Sequence, residues 1–186
     1  MPSSRPGRVA VVACLAGLVA LLAGLLARGG DAPDVAGKPL RTFTAPGLRI
    51  GLPCTPKKIS QTVNTPKGPL TLDDYVCAGG TDGYSLSTTT TPALAGRTID
   101  PNATASGAAA NLAGTAHDVR ATIYQGHQAV DFRVPDATSD SVKVTVFARA
   151  VYVGSAVYFL EYLKKGNNIP VPPAAYLDFL NSLRFD

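Results

Sequence analysis

Nineteen consecutive residues, Val9 to Ala27 (VAVVACLAGLVALLAGLLA), carry no charge. A helix of that length rises about 28 Å, close to the ~30 Å hydrocarbon core of a bilayer. The run also exceeds the roughly 7–15 apolar residues at the centre of a secretory signal. It therefore divides the chain into a basic cytoplasmic head over residues 1–8, with Arg5 and Arg8, a transmembrane signal anchor over 9–27, and a remainder that must fold elsewhere. A cleavage site is hard to place. Cutting after Ala27 puts Leu25 where a small residue is wanted, and cutting after Ala32 puts Pro33 next to the cut. The run reads as an uncleaved anchor, with cleavage to a secreted form as the alternative. Val11-Val12-Ala13-Cys14 looks like a lipobox, but too few apolar residues precede Cys14, and the run continues well past it.

Basic residues on both sides of the run (Arg5 and Arg8 before it; Arg28, Lys38 and Arg41 after it) leave its orientation open. Cysteine usage says more. With Cys14 in the span, Cys54 and Cys77 are the only pair left, and two cysteines allow one intramolecular bridge. A disulfide persists in an oxidising compartment, which places the C-terminal part outside the cytoplasm; the alternative is two buried free thiols. A structural metal site would need a second ligand pair, and the chain has only two histidines. No metal or other cofactor is expected.

The basic isoelectric point misleads. From Asp31 onward there are 14 Lys and Arg against 13 Asp and Glu, with no basic block and no tryptophan. Nucleic acid is therefore not an expected partner. Residues 28–42, with Gly29, Gly30, Pro33, Gly37 and Pro39, read as a linker, and residues 43–186 as one extracytoplasmic domain. Abundant Ala, Gly and Pro, with more Arg than Lys, fit a GC-rich bacterial source.

Within the domain, alternation predicts strands at 48–52, 57–65, 70–76 and 83–90, with Pro66-Lys67-Gly68-Pro69 as a turn. Asp100-Pro101 is a strong helix start, Asp as cap and Pro in the first turn. Ala105, Ala108, Ala109, Leu112, Ala113 and Ala116 then form a small-residue stripe suited to close packing on a sheet. Val119, Ala121 and Ile123, then Val130, Phe132 and Val134, then Val142 to Ala150 alternate with polar residues. Gly154-Ser155 fits a two-residue hairpin turn into a return strand over 156–163. Pro172-Pro173 opens a last helix with Tyr176, Phe179, Leu180 and Leu183 on one face. Four strands, a helix, four strands and a helix predict an α+β fold: a mostly antiparallel sheet with two packed helices. Pairing the second and third strands about Lys67-Gly68 brings Cys77 near Lys57, three residues from Cys54, so a Cys54–Cys77 bridge is geometrically plausible.

The strand text resembles that of uncharacterised bacterial envelope proteins. Gln61 to Thr71 (QTVNTPKGPLT) resembles their QTV-x-T hairpin, and Gly126 to Val134 (GHQAVDFRV) their G-Y-x-G-x-x-F-x-V strand. Arg149 to Tyr158 (RAVYVGSAVY) is similar to their R-x-x-x-V-G hairpin, and Tyr176 to Phe185 to their closing helix. The resemblance covers about residues 50–185. It implies a Mog1/PsbP-like α/β/α sandwich of the LpqN type, and it carries over no catalytic residue. The chain departs from the pattern at His127, where an aromatic residue is expected, and in its cysteine pair.

No motif for catalysis stands out. His117 sits where a helix C-terminus would favour a cation. His127 and Asp131 are four residues apart on one strand, about 13 Å, too far for a direct hydrogen bond. Glu161 is the only glutamate, and a paired-carboxylate site would need an aspartate brought in by the fold. There is no G-x-S-x-G, H-E-x-x-H or phosphate loop. The expectation is a membrane-anchored, non-enzymatic binding or assembly domain in the bacterial cell envelope, with an envelope protein, lipid or glycan as partner. The alternative is a secreted or envelope hydrolase with a nonstandard site.

Overall fold

Two sheets, paired throughout in antiparallel fashion, carry the fold, and the computed structural model describes residues 34–65, 68–139 and 142–186. The stretches read as a basic head and a signal anchor, residues 1–8 and 9–27, lie outside the described residues. Among the described residues no helix is long and apolar enough to cross a membrane.

The smaller sheet has three strands in the order β1-β2-β10: β1 (Arg41–Ala45), β2 (Leu48–Leu52) and β10 (Arg184–Phe185). The larger has seven, in the order β3-β4-β5-β9-β8-β7-β6. These are β3 (Lys57–Thr65), β4 (Gly68–Gly79), β5 (Asp82–Thr90), β6 (His117–Tyr124), β7 (His127–Ser139), β8 (Val142–Val153) and β9 (Ala156–Lys165). Helix α1 (Pro101–Asn111) lies between β5 and β6 in the chain, and α2 (Ala174–Ser182) between β9 and β10. The α+β reading holds. Two strands were not anticipated, β1 and the two-residue β10. The folded part also reaches into the stretch read as linker: Val35 is buried and β1 begins at Arg41.

The period-two alternation of the long strands gives the large sheet two buried faces. One face presents Val130, Phe132, Val134, Val144, Val146, Phe159 and Leu163, and α1 packs on it through Ala105, Ala108 and Ala109. Small side chains let that helix lie close, and Thr104 Oγ1 meets Tyr152 Oη of β8 at 2.9 Å. The opposite face presents Phe147, Val151, Leu160, Tyr162, Tyr84 and Leu86, covered by the small sheet and α2 through Leu48, Ile50, Leu52, Tyr176 and Phe179. Tyr84 stacks edge-on against both Tyr162 (5.0 Å) and Phe179 (5.5 Å), an arrangement that suits the ring quadrupoles. Cys54, just past β2, is bonded to Cys77 on β4, Cα to Cα 5.9 Å, and ties one sheet to the other.

Local rules explain most boundaries. Asp100 caps α1 by accepting from the backbone N–H of Asn102 and Ala103. Gly154, with φ +60°, supplies the first turn position of the β8–β9 hairpin, and Val153 pairs with Ala156. The stripe predicted to continue to Ala116 stops earlier. The Gly114 N–H donates to Ala109 O and the Ala113 N–H to Ala110 O, a Schellman closure with Ala113 in the left-handed region (φ 48°). Gly114 itself is fixed by space, since a Cβ there would lie 2.5 Å from Val134 Cγ1. The β3–β4 pairing also differs by one residue from the expected register. Thr65 faces Gly68, so Gly68 and Pro69 belong to β4 rather than to the turn, and Lys57 faces Val76. β7 is longer than the alternation suggested and takes in Pro135 at a register shift between Val134 and Ala137, the kind of place where an inner strand tolerates proline.

Candidate functional site

On the face carrying α2, the large sheet is not fully covered. α2 lies against its centre, and between this helix and the β6 edge a cavity of about 330 Å³ remains. Its floor is Asp131 and Arg133 of β7 with Phe147 and Arg149 of β8. β6 contributes Asp118 and Arg120 to one wall. The other wall is Tyr176, Leu177 and Leu180 of α2, continued by Pro170 and Pro172.

The groove is braced at both ends. The last carbonyls of a helix have no partner within the helix. Here Tyr124 Oη donates to Leu180 O at 2.7 Å, and Gln125 Nε2 donates to Leu183 O at 2.7 Å. The β6–β7 hairpin thus holds the C-terminal end of α2. At the other end, an Arg133 N–H donates to Ile169 O at 3.0 Å and fastens the segment leading into α2.

Inside the groove the charges are largely matched. Arg149 makes a two-pronged pair with Asp131, at 2.6 and 2.8 Å, and its guanidinium lies 4.8 Å from the centre of the Tyr124 ring. Burial is the largest single influence on Arg149 and would lower its pKa, but the hydrogen bonds and charge of Asp131, with smaller contributions from Tyr176 and Tyr124, together outweigh it and the value rises. Arg133 pairs with Asp118 at 2.9 Å. Two groups are uncommitted among the described residues: no hydrogen bond or ion pair engages exposed Arg120 or the hydroxyl of buried Tyr176. Burial, then the charge of Asp131, drives the Tyr176 pKa far above the ordinary tyrosine range, with Arg149 offsetting part of the rise. That hydroxyl stays protonated and available as a donor.

The residues singled out from the sequence fall elsewhere. His117 is exposed at the start of β6, beyond the Schellman closure, so it does not cap α1. His127 is half-buried and edge-on to Phe185 at 5.3 Å. Asp131 is committed to Arg149. Glu161 does acquire an aspartate neighbour. Its carboxyl accepts from Ser85 Oγ at 3.0 Å, and burial, reinforced by the nearby charge of Asp74, pushes its pKa up to about 8. Asp74 is pushed up to about 6, mainly by burial, and its Oδ1 and the Ser87 hydroxyl have no hydrogen-bond partner. Both carboxyls are buried, at 2% and 1% exposure, out of a substrate's reach. Cys54 and Cys77 are oxidised, so neither offers a thiolate. Among the described residues no three of His, Cys, Asp and Glu gather in a way that could hold a metal ion.

Comparison with known protein families, with curated proteins and with solved structures finds no match. The groove must therefore be read from its own chemistry. Its missed residues left a faint signal: Arg120, Arg133 and Arg149 stand on three neighbouring strands, on the phase that faces α2 rather than α1.

Proposed function

We propose that this chain is a binding module of the bacterial cell envelope, carried on its N-terminal anchor with residues 43–186 outside the cytoplasm, and that its ligand seats in the groove between α2 and β6. The resemblance to Mog1/PsbP-like envelope domains of the LpqN type supports the setting. A bridge between Cys54 and Cys77 supports an oxidising compartment. One observation carries the binding role: a braced, concave site with one charged and one apolar wall presents two polar groups that have no protein partner among the described residues, Arg120 and the Tyr176 hydroxyl. A few convergent polar groups in a partly apolar concavity are the usual make-up of a ligand site. The partner is an envelope protein, lipid or glycan that offers a group small enough to enter. Binding or assembly, rather than catalysis, is the role this chemistry favours.

Native mass spectrometry of the full chain released gently from its own membranes tests this reading. A retained mass is expected, and Leu177→Trp, which fills the mouth of the groove, should abolish it. An identical retained mass in wild type and Leu177→Trp, or none in either, would refute the assignment. Membrane fractionation with N-terminal sequencing checks the mounting, which fails if the mature chain begins after residue 27.

A further inference from the structure

Three guanidinium groups border the groove, and one of them, Arg120, makes no hydrogen bond or ion pair among the described residues. Arg149 is consumed by both oxygens of Asp131, and Arg133 by Asp118 and the Ile169 carbonyl. Arg120 stands opposite Asp131 in the β6–β7 register, lines the groove and has no partner among the described residues. Three arginines against two aspartates leave the groove one positive charge in excess. The other uncommitted polar group is Tyr176 Oη, on the facing wall. A cation entering here would meet Arg120, find both oxygens of Asp131 taken and have only the outer oxygen of Asp118 open to it, whereas an oxyanion would meet two unused donors. The remaining surface is apolar: Phe147, Leu177 and Leu180, with Leu177 still 47% exposed and Val171 on the adjoining segment 68% exposed. At about 330 Å³ the cavity is at the lower end of ligand pockets, room for a ring or short chain with its headgroup.

Resting on the binding reading above, we infer that the groove takes an oxyanion, a carboxylate or phosphate, borne on a short apolar stem, with Arg120 binding the anion and Tyr176 Oη donating beside it. Guanidinium suits this task because its planar fork matches either oxyanion with two hydrogen bonds, while lysine offers only a point charge. The apolar stem lies against Phe147 and α2.

The test uses the full chain in lipid nanodiscs with labelled leucine methyls, titrated at millimolar concentration with phenylacetate, phenyl phosphate and the neutral phenylacetamide. Both anions, or one of them, should shift the Leu177 and Leu180 methyls saturably, and the tighter of the two names the oxyanion. Phenylacetamide should bind about tenfold or more weakly. Arg120→Gln should bring the anions to the amide's level, Arg120→Lys should restore part of the affinity, and Tyr176→Phe should weaken the anions several-fold. Because Arg120 is exposed on an edge strand, its variants test binding without testing the core. Equal affinity for amide and anions, or full anion affinity in Arg120→Gln, overturns the oxyanion assignment while leaving the groove as a binding site. Unmoved Leu177 and Leu180 methyls with every probe overturn it as well, and the groove reading then stands or falls on its own retained-mass experiment.

Discussion

Glu161 gives this domain an unusual dependence on pH. It stands on the core phase of β9, between Phe159 and Leu163, with its carboxyl buried and held by Ser85. Its ordinary pKa of 4.5 is pushed up to about 8 in the fold, chiefly by burial. Between those two values the folded state keeps a proton that the unfolded chain has lost. The stabilisation is therefore complete below pH 4.5, declines by about 1.4 kcal/mol per pH unit, and is gone above about pH 8. The total is about 5 kcal/mol, comparable to the whole stability of a small domain. Asp74, raised from 3.8 to about 6, adds a smaller decline of the same sign. Glu161→Gln keeps the shape and an acceptor for Ser85 but removes the titration. Urea titrations followed by tyrosine fluorescence, since the chain has no tryptophan, should show wild type losing several kcal/mol between pH 5 and 8. The variant should lose only the Asp74 share and be the more stable protein at pH 8 by about 3 kcal/mol or more. Parallel wild-type and variant curves over this range would refute the reasoning.

Ala113→Gly should raise stability by about 0.5–1 kcal/mol, seen as a small rise in Tm, because alanine occupies a left-handed position that glycine adopts without strain. Gly114→Ala, one residue on, should lower it by about 1–3 kcal/mol, since the new Cβ meets Val134. Replacing Cys54 and Cys77 together by serine should cost about 3 kcal/mol in chemical denaturation, from the loop that the bridge closes. Peptide mapping without reduction should recover the two cysteines joined, whereas finding both alkylated would remove the oxidising-compartment argument. A double-mutant cycle with Arg149→Met and Asp131→Asn should give a coupling of about 1–2 kcal/mol, as the pair is two-pronged and mostly sheltered; additive effects would count against it.

Local chemistry made much of the fold legible. The alternation of β8 and β9, the Gly154-Ser155 turn, the Asp100-Pro101 start and the apolar face of α2 each follow from spacing within one segment. β1 and β10 did not, because five and two residues are too short for a period to show. Pro46-Gly47, with Gly47 at φ +79°, was the available sign of the first hairpin. The β3–β4 register slipped because Gly68 and Pro69 look like turn residues yet serve in a strand. Glu161 could have been read as buried from its phase between Phe159 and Leu163. Its partner Ser85, however, comes from the β5–β9 pairing, which spans the chain and brings Asp74 of the adjoining β4 with it. The groove was the least legible feature. Arg120, Arg133 and Arg149 look like a solvated face until α2, tied down by Tyr124 and Gln125, makes a wall above them.

The pairing of β2 with β10 also sets an order of events during synthesis. Leu48 must wait for Phe185, so the small sheet stays incomplete until nearly the whole domain has emerged. Cys54 and Cys77 belong to neighbouring segments and can meet far earlier. The covalent tie can then hold β2 beside β4 during the wait, when an unpaired strand edge is most exposed to the wrong neighbour. In that light the bridge acts as much on the folding route as on the finished fold: without it, chains should be lost to aggregation before β10 arrives.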